Sequence, residues 1–246
     1  MPLSTLSNGR GRSLFPLTLQ PLAWFYAHPR YLVFDDAQPD RIGSWKDRTG
    51  NAANTISRSG ASWPLWSPNG WRSGVGAVDF DGAAAFLTTT SGPLATFQTG
   101  ADIPFSCLLT ARIDASTDHG ILYWRDGGTA RSHWRTNNTP PEVNRYVRTD
   151  DAASSVTVTG TLDMGTTNNR FALVFPGTTV STYRGRDIDN NATACNVGTC
   201  TFSQFELGRT SVGQLDGPVV DLVIVPRAIT AAEWQAYVYY SLGEFG

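Results

Sequence analysis

The chain changes its hydrophobic period often and holds none for long. From Leu22 onward short runs are apolar or alternate apolar with polar positions: LAWFY, YLVF, GAVDFDG, PFSCLLTARI, GILYWRD, ARSHWRT, EVNRYVRT, SSVTVTG, RFALVFPG, TVSTYRG, TFSQFELG and PVVDLVIV. Gly, Asp, Asn and Pro separate them. Segments of this length predict strands, and many strands at regular spacing predict a sandwich or a barrel. Asp126-Gly127-Gly128 sits between two runs as a hairpin signal. One helix is expected, at the end of the chain. Thr230-Ala231-Ala232-Glu233 has the form of a capping box, and Trp234, Tyr237, Val238 and Ser241 follow at helical spacing. The expected fold is all-β: an antiparallel jelly-roll β-sandwich with a short C-terminal helix. Residues 1–20, polar and carrying Arg10 and Arg12, read as an arm that docks to a partner, with the sandwich over 21–246.

Composition narrows the partners. The formal net charge of −2 gives no global field toward nucleic acid or a membrane surface. No stretch of about eighteen apolar residues exists, so membrane insertion is not expected. The first residues lack the apolar region of a signal peptide, and the chain is expected to be made in the cytoplasm without one. Cys107 lies in an apolar run and reads as a buried thiol. Cys195 and Cys200 frame the loop CNVGTC, which either closes as a disulfide or holds two free thiols.

Two blocks carry a family likeness. The first is SWKDRTGNAANT, Ser44 to Thr55, followed by GAVDFDGAAAFL, Gly76 to Leu87. The second is GQLDGPVVDLVIVPRAITAAEWQAYVYYSLGEFG at the end of the chain. Read together they resemble the concanavalin A-like lectin/glucanase superfamily, in the laminin-G-like form common in phage structural proteins. The resemblance covers roughly residues 15–246 and is weakest in the middle. It implies a sandwich with Trp45 and Phe80 as core anchors, and Asp47 and Asp81 hydrogen-bonded to turn amides. Thr49 and Ala52 depart from the pattern in one turn, and WFYAHP replaces an opening that carries an Asp in many relatives.

The enzymes of that superfamily place carboxylates along one strand, because glycoside hydrolysis needs two of them close together. The four glutamates here, Glu142, Glu206, Glu233 and Glu244, form no such motif, and Glu233 is explained as a cap. Phosphate-binding loops, zinc-protease helices and nucleophile elbows are absent from the sequence. Binding chemistry is better represented. Alternation puts Arg131, His133 and Arg135 on one face of their strand, opposite Trp134, with Tyr146 and Arg148 sharing a face nearby. Guanidinium forks and aromatic rings suit an acidic or hydroxyl-rich sugar, so these five are the candidate glycan-binding residues; the alternative is a solvated sheet face over ordinary core aromatics. Asp187, Asp189 and Asn191 could converge oxygens on calcium, or simply build turns. Asn137-Asn138-Thr139 and Asn191-Ala192-Thr193 match glycosylation sequons.

The reading that follows is a non-catalytic, structural, glycan-binding component of a phage or phage-like particle: a fibre, spike or decoration protein. Its partners would be cell-surface polysaccharide, other particle proteins through the arm, and other copies of itself. The alternatives are a purely architectural decoration protein without ligand, and a glycan hydrolase.

Overall fold

The run Pro218–Val225 is apolar at nearly every position because its strand, Asp216–Val225, is covered on both faces. Leu222 and Ile224 pack into the space between two sheets, while Val220, Val223 and Val225 pack under the C-terminal helix Ala231–Phe245. The computed structural model describes residues 15–114, 119–136, 143–164 and 167–246, with the backbone of Ser7–Asn8 and Arg12–Ser13. It has three layers: front sheet, back sheet, helix.

The back sheet runs in the order Asp187–Ala194, Thr179–Arg184, Asn169–Phe175, Phe105–Ala111, Asp216–Val225. The last of these pairs along its free edge with both Ala23–Tyr26 and Val75–Asp81, and the latter with Leu65–Arg72. The front sheet runs Ser155–Asp163, Val143–Thr149, Arg131–Thr136, Gly120–Arg125, Gln204–Leu207, Leu87–Thr89, Ile56–Arg58, Gln38–Trp45, Leu32–Asp35. All these pairings are antiparallel, so the expected sandwich is the observed one. Trp45 and Phe80 are buried, as the resemblance implies, and so are Leu222 and Trp234.

The turn carboxylates act as expected. Asp47 accepts from the backbone amides of Trp24 and Thr49 and from Asn54 Nδ2. Asp81 accepts from the amides of Ala83, Ala84 and Ala85, which holds its carboxyl below the usual range although burial opposes this. The capping box is complete, and Glu233 also pairs with Arg227 at 2.7 Å. These bonds bring the Glu233 carboxyl down to about 2.

The expected arm is too long at its C-terminal end. Phe15–Thr18 forms one helical turn, and Leu19 is buried in the cluster of Trp24 and Trp234. An apolar side chain so placed belongs to the domain. The side chains of residues 1–14, and hence any docking role for them, lie outside the described residues.

Candidate functional site

Four neighbouring strands of the front sheet build the site, and pleating decides which side chains they present. Leu122, Trp124, Ser132, Trp134, Tyr146, Phe205 and Leu207 point into the core. The other parity points outward. Register places Glu206, Tyr123, His133 and Val147 side by side across Gln204–Leu207, Gly120–Arg125, Arg131–Thr136 and Val143–Thr149. The adjacent row is Gln204, Arg125, Arg131 and Thr149, and on the far side of His133 Arg135 stands opposite Arg145.

This places like charges directly opposite each other twice, Arg125 with Arg131 and Arg135 with Arg145. Such pairs destabilise a sheet. Arg125 is neutralised within the row: it donates from Nε at 3.1 Å and Nη2 at 3.0 Å to Glu206 Oε1. Gln204 Nε2 donates to the same oxygen, while Arg209 approaches Oε2 at 3.8 Å. Glu206 is fully buried there. Arg131 spends one donor on Thr149 Oγ1, and neither Arg131 nor Arg145 meets a carboxylate among the described residues.

His133 and Tyr123 form the floor, with ring centroids 5.6 Å apart. The floor is deeper than the sequence suggests. Arg131, His133 and Arg135 do share the outward face, but His133 is only 3% and Arg135 only 8% exposed, so this is not an open, wet surface. Arg131 and Arg145 keep partial exposure above it. Burial first, then the charges of Arg135, Arg131 and Arg145, push the imidazole down to about 3. His133 is therefore neutral at ordinary pH, and its Nδ1 has no hydrogen-bond partner. Burial likewise raises the Tyr123 hydroxyl.

Tyr146 and Arg148 do not join the site. They share a face, but it is the core face. Tyr146 bonds Ser132 Oγ at 2.8 Å. Arg148 is wholly buried, with its guanidinium 5.0 Å from the Phe175 ring and 3.4 Å from the carbonyl of Gly100. No carboxylate accompanies it among the described residues, and a buried cation of this kind adds little stability over an apolar isostere. Arg148→Met is therefore expected to leave unfolding free energy within about 1 kcal/mol of wild type or higher, with ligand binding unchanged; urea denaturation and a binding titration check both halves.

The calcium set also separates. Asp189 is buried, and its carboxylate accepts from the amides of Thr161 and Leu162, from Asn144 Nδ2 and from Thr182 Oγ1. Asp187 and Asn191 are exposed on the strand Asp187–Ala194. With Asp189 spent on four donors, it pins the edge strands together instead of offering oxygen to a cation. Cys195 and Cys200 are both buried and unbonded, which removes the disulfide alternative; Cys107 is a buried thiol as expected. Burial raises the Cys195 thiol to about 11. The sequon at 137–139 lies outside the described residues.

Arg125, Arg145, Arg209, Tyr123 and Glu206 were not singled out by the sequence. Tyr123 and Arg125 were within reach, since GILYWRD alternates and Trp124 marks the core parity. Val143–Thr149 was not, because VNRYVRT carries an arginine on each parity.

No family model and no curated protein matches the chain. Solved structures do match in fold. Domain 4 of AbnA, a GH43 extracellular arabinanase from Geobacillus stearothermophilus in complex with arabinotriose, superposes with a TM-score of 0.62 at 13% identity, over 88% of this chain and 97% of that one. The CBM40 of the Ruminococcus gnavus IT-sialidase, bound to α2,3 sialyllactose, gives 0.51 at 12% identity, over 66% and 96%. Botulinum neurotoxin type C, whose cell entry is described as dependent upon interaction with two ganglioside molecules, gives 0.63 at 9% identity over 89% of this chain; the match spans half of that chain, 50%. At these identities the likeness fixes the fold alone: the chain is an antiparallel jelly-roll β-sandwich.

Proposed function

We propose that the chain is a non-catalytic glycan-binding module of a phage or phage-like particle, and that it meets host surface polysaccharide with the outer face of its front sheet. The observation that carries this reading is the pair of opposed arginine pairs around the His133–Tyr123 floor. Arg131 and Arg145, the members of those pairs with no carboxylate among the described residues, remain part-exposed and free to pair with a ligand's oxygens. Domains of this fold from an arabinanase and a sialidase have been seen with oligosaccharides bound, which supports a sugar as the ligand. The non-catalytic reading rests on Glu206. Its cross-strand neighbours are Tyr123 and Thr88, not a second carboxylate, and Arg125 and Gln204 hold it in place. The particle setting rests on the resemblance of the Ser44–Thr55 and C-terminal blocks to phage structural proteins, with residues 1–14 as the docking segment.

A single site of this kind is weak, and several copies on one particle raise avidity by about a hundredfold or more. A purified, multimerised chain on an array of bacterial surface polysaccharides is expected to bind at least one saturably, without releasing reducing sugar. Silence across the array would favour the purely architectural role, and sugar release would favour the hydrolase. Immunogold labelling of purified particles tests the setting.

A further inference from the structure

Two arginines of the outward face, Arg131 and Arg145, meet no carboxylate among the described residues. Glu206 engages Arg125 and Arg209, while Arg131 and Arg145 stand apart on the same face. The chain as a whole carries a net charge of −2, so these arginines are not part of a basic protein. Arg131 and Arg145 are the informative members. Both are part-exposed, neither has a carboxylate partner among the described residues, and both lie close enough to lower the basicity of His133. Arg131 is opposite Thr149, and Arg145 lies four residues back along that same strand, with Val147, opposite His133, midway between them. The two guanidiniums thus approach the imidazole from opposite ends.

Resting on the glycan-binding reading, we infer that this face selects glycans bearing an anionic substituent, a carboxylate or a sulfate ester, and that Arg131 and Arg145 grip that group above the His133–Tyr123 floor. Guanidinium forks bind planar or tetrahedral oxyanions with two parallel hydrogen bonds, which an ammonium cannot reproduce. Neutral His133 and the Tyr123 ring, with centroids 5.6 Å apart, lie between the two arginines. A neutral sugar offers Arg131 and Arg145 no charge to pair with.

The test uses the full chain on acidic bacterial polysaccharides, each printed beside its own carboxyl-reduced or desulfated form, with duplex DNA as a polyanion without sugar acids. The expected result is binding to one or more acidic polymers and at least about tenfold weaker binding to the matched neutral form; which removal abolishes binding, reduction or desulfation, identifies the anion. Arg131→Gln and Arg145→Gln should each weaken binding by about tenfold or more. Arg131→Lys should recover only part of that, and all three variants should keep the wild-type melting temperature, since both positions are part-exposed. Equal binding to acidic and neutral forms would overturn anion selection while leaving the glycan-binding reading intact. DNA bound as tightly as the best polysaccharide would show an unselective cationic patch and overturn it too. Binding to no polysaccharide at all would overturn both readings.

Discussion

Replacing Trp124 by alanine is expected to cost the sandwich about 3–5 kcal/mol. Trp124 is almost wholly buried. Its ring lies 4.9 Å from Phe205, 5.6 Å from Phe97 and 5.8 Å from Phe105, and its Nε1 donates to the Leu94 carbonyl at 2.9 Å. Alanine would open a cavity between strands of both sheets and leave the Leu94 carbonyl without its donor. The consequence reaches the binding face, because Tyr123 and Arg125 flank Trp124 on the same strand with the opposite parity. Urea denaturation should give the stability loss, and binding should fall in step with the folded fraction while the remaining folded molecules bind normally. Trp124→Phe should recover about half of the stability. A loss below about 1 kcal/mol for the alanine variant would mean that the ring cluster does not anchor the sheet.

The architecture was legible in the sequence because its determinants are local. Alternation gave the strands, the Thr230–Glu233 box gave the helix, and single aspartates gave two turns. The site was only half legible. Arg131, His133 and Arg135 were placed together correctly, because Trp134 fixes the parity of their strand. Tyr146 and Arg148 were misplaced by one residue of parity. The next strand offers Arg145 and Val147 on one side and Tyr146 and Arg148 on the other, and no local rule says that the side bearing a fully buried arginine faces the core. That choice is made by what lies beneath, the Phe175 ring and the Gly100 carbonyl, which are distant in sequence. Asp189 was misread for the same reason. Its donors come from Asn144, Thr161, Leu162 and Thr182, on three different strands. The burial of His133 was also invisible, since a period of two distinguishes the faces of a sheet but not how far each is covered.

Stability is expected to fall as pH rises from about 4 to 7 through one group, Asp221, by roughly 4 kcal/mol in all. The residue is fully buried on Asp216–Val225, beneath the C-terminal helix. Its Oδ1 accepts from Trp24 Nε1 at 2.6 Å, and its Oδ2 accepts from the Tyr237 hydroxyl at 2.9 Å. Those bonds and the nearby Arg48, which stacks 3.8 Å over the Trp24 ring, favour the ionised form, while Glu244 opposes it. Burial outweighs them and carries the carboxyl up to about 7. The unfolded chain titrates near 3.9. Between those values the folded protein holds a proton that the unfolded chain has released. The stabilisation is therefore complete below about 4 and is lost as pH climbs through 7. His133 acts in the opposite sense, because its folded-state value of about 3 lies below the unfolded one, so its share is lost as pH falls below about 6.5. Comparing wild type with Asp221→Asn separates the two, since asparagine keeps an acceptor for Trp24 and cannot ionise. The stability advantage of wild type over this variant should shrink by about 1.4 kcal/mol per pH unit between pH 5 and 7 and level off above. Parallel urea-midpoint curves for the two proteins would show that Asp221 is ionised throughout. Glycan affinity of the folded protein should stay flat from pH 5 to 8, because His133 remains neutral over that range and Asp221 lies under the back sheet, away from the arginine face.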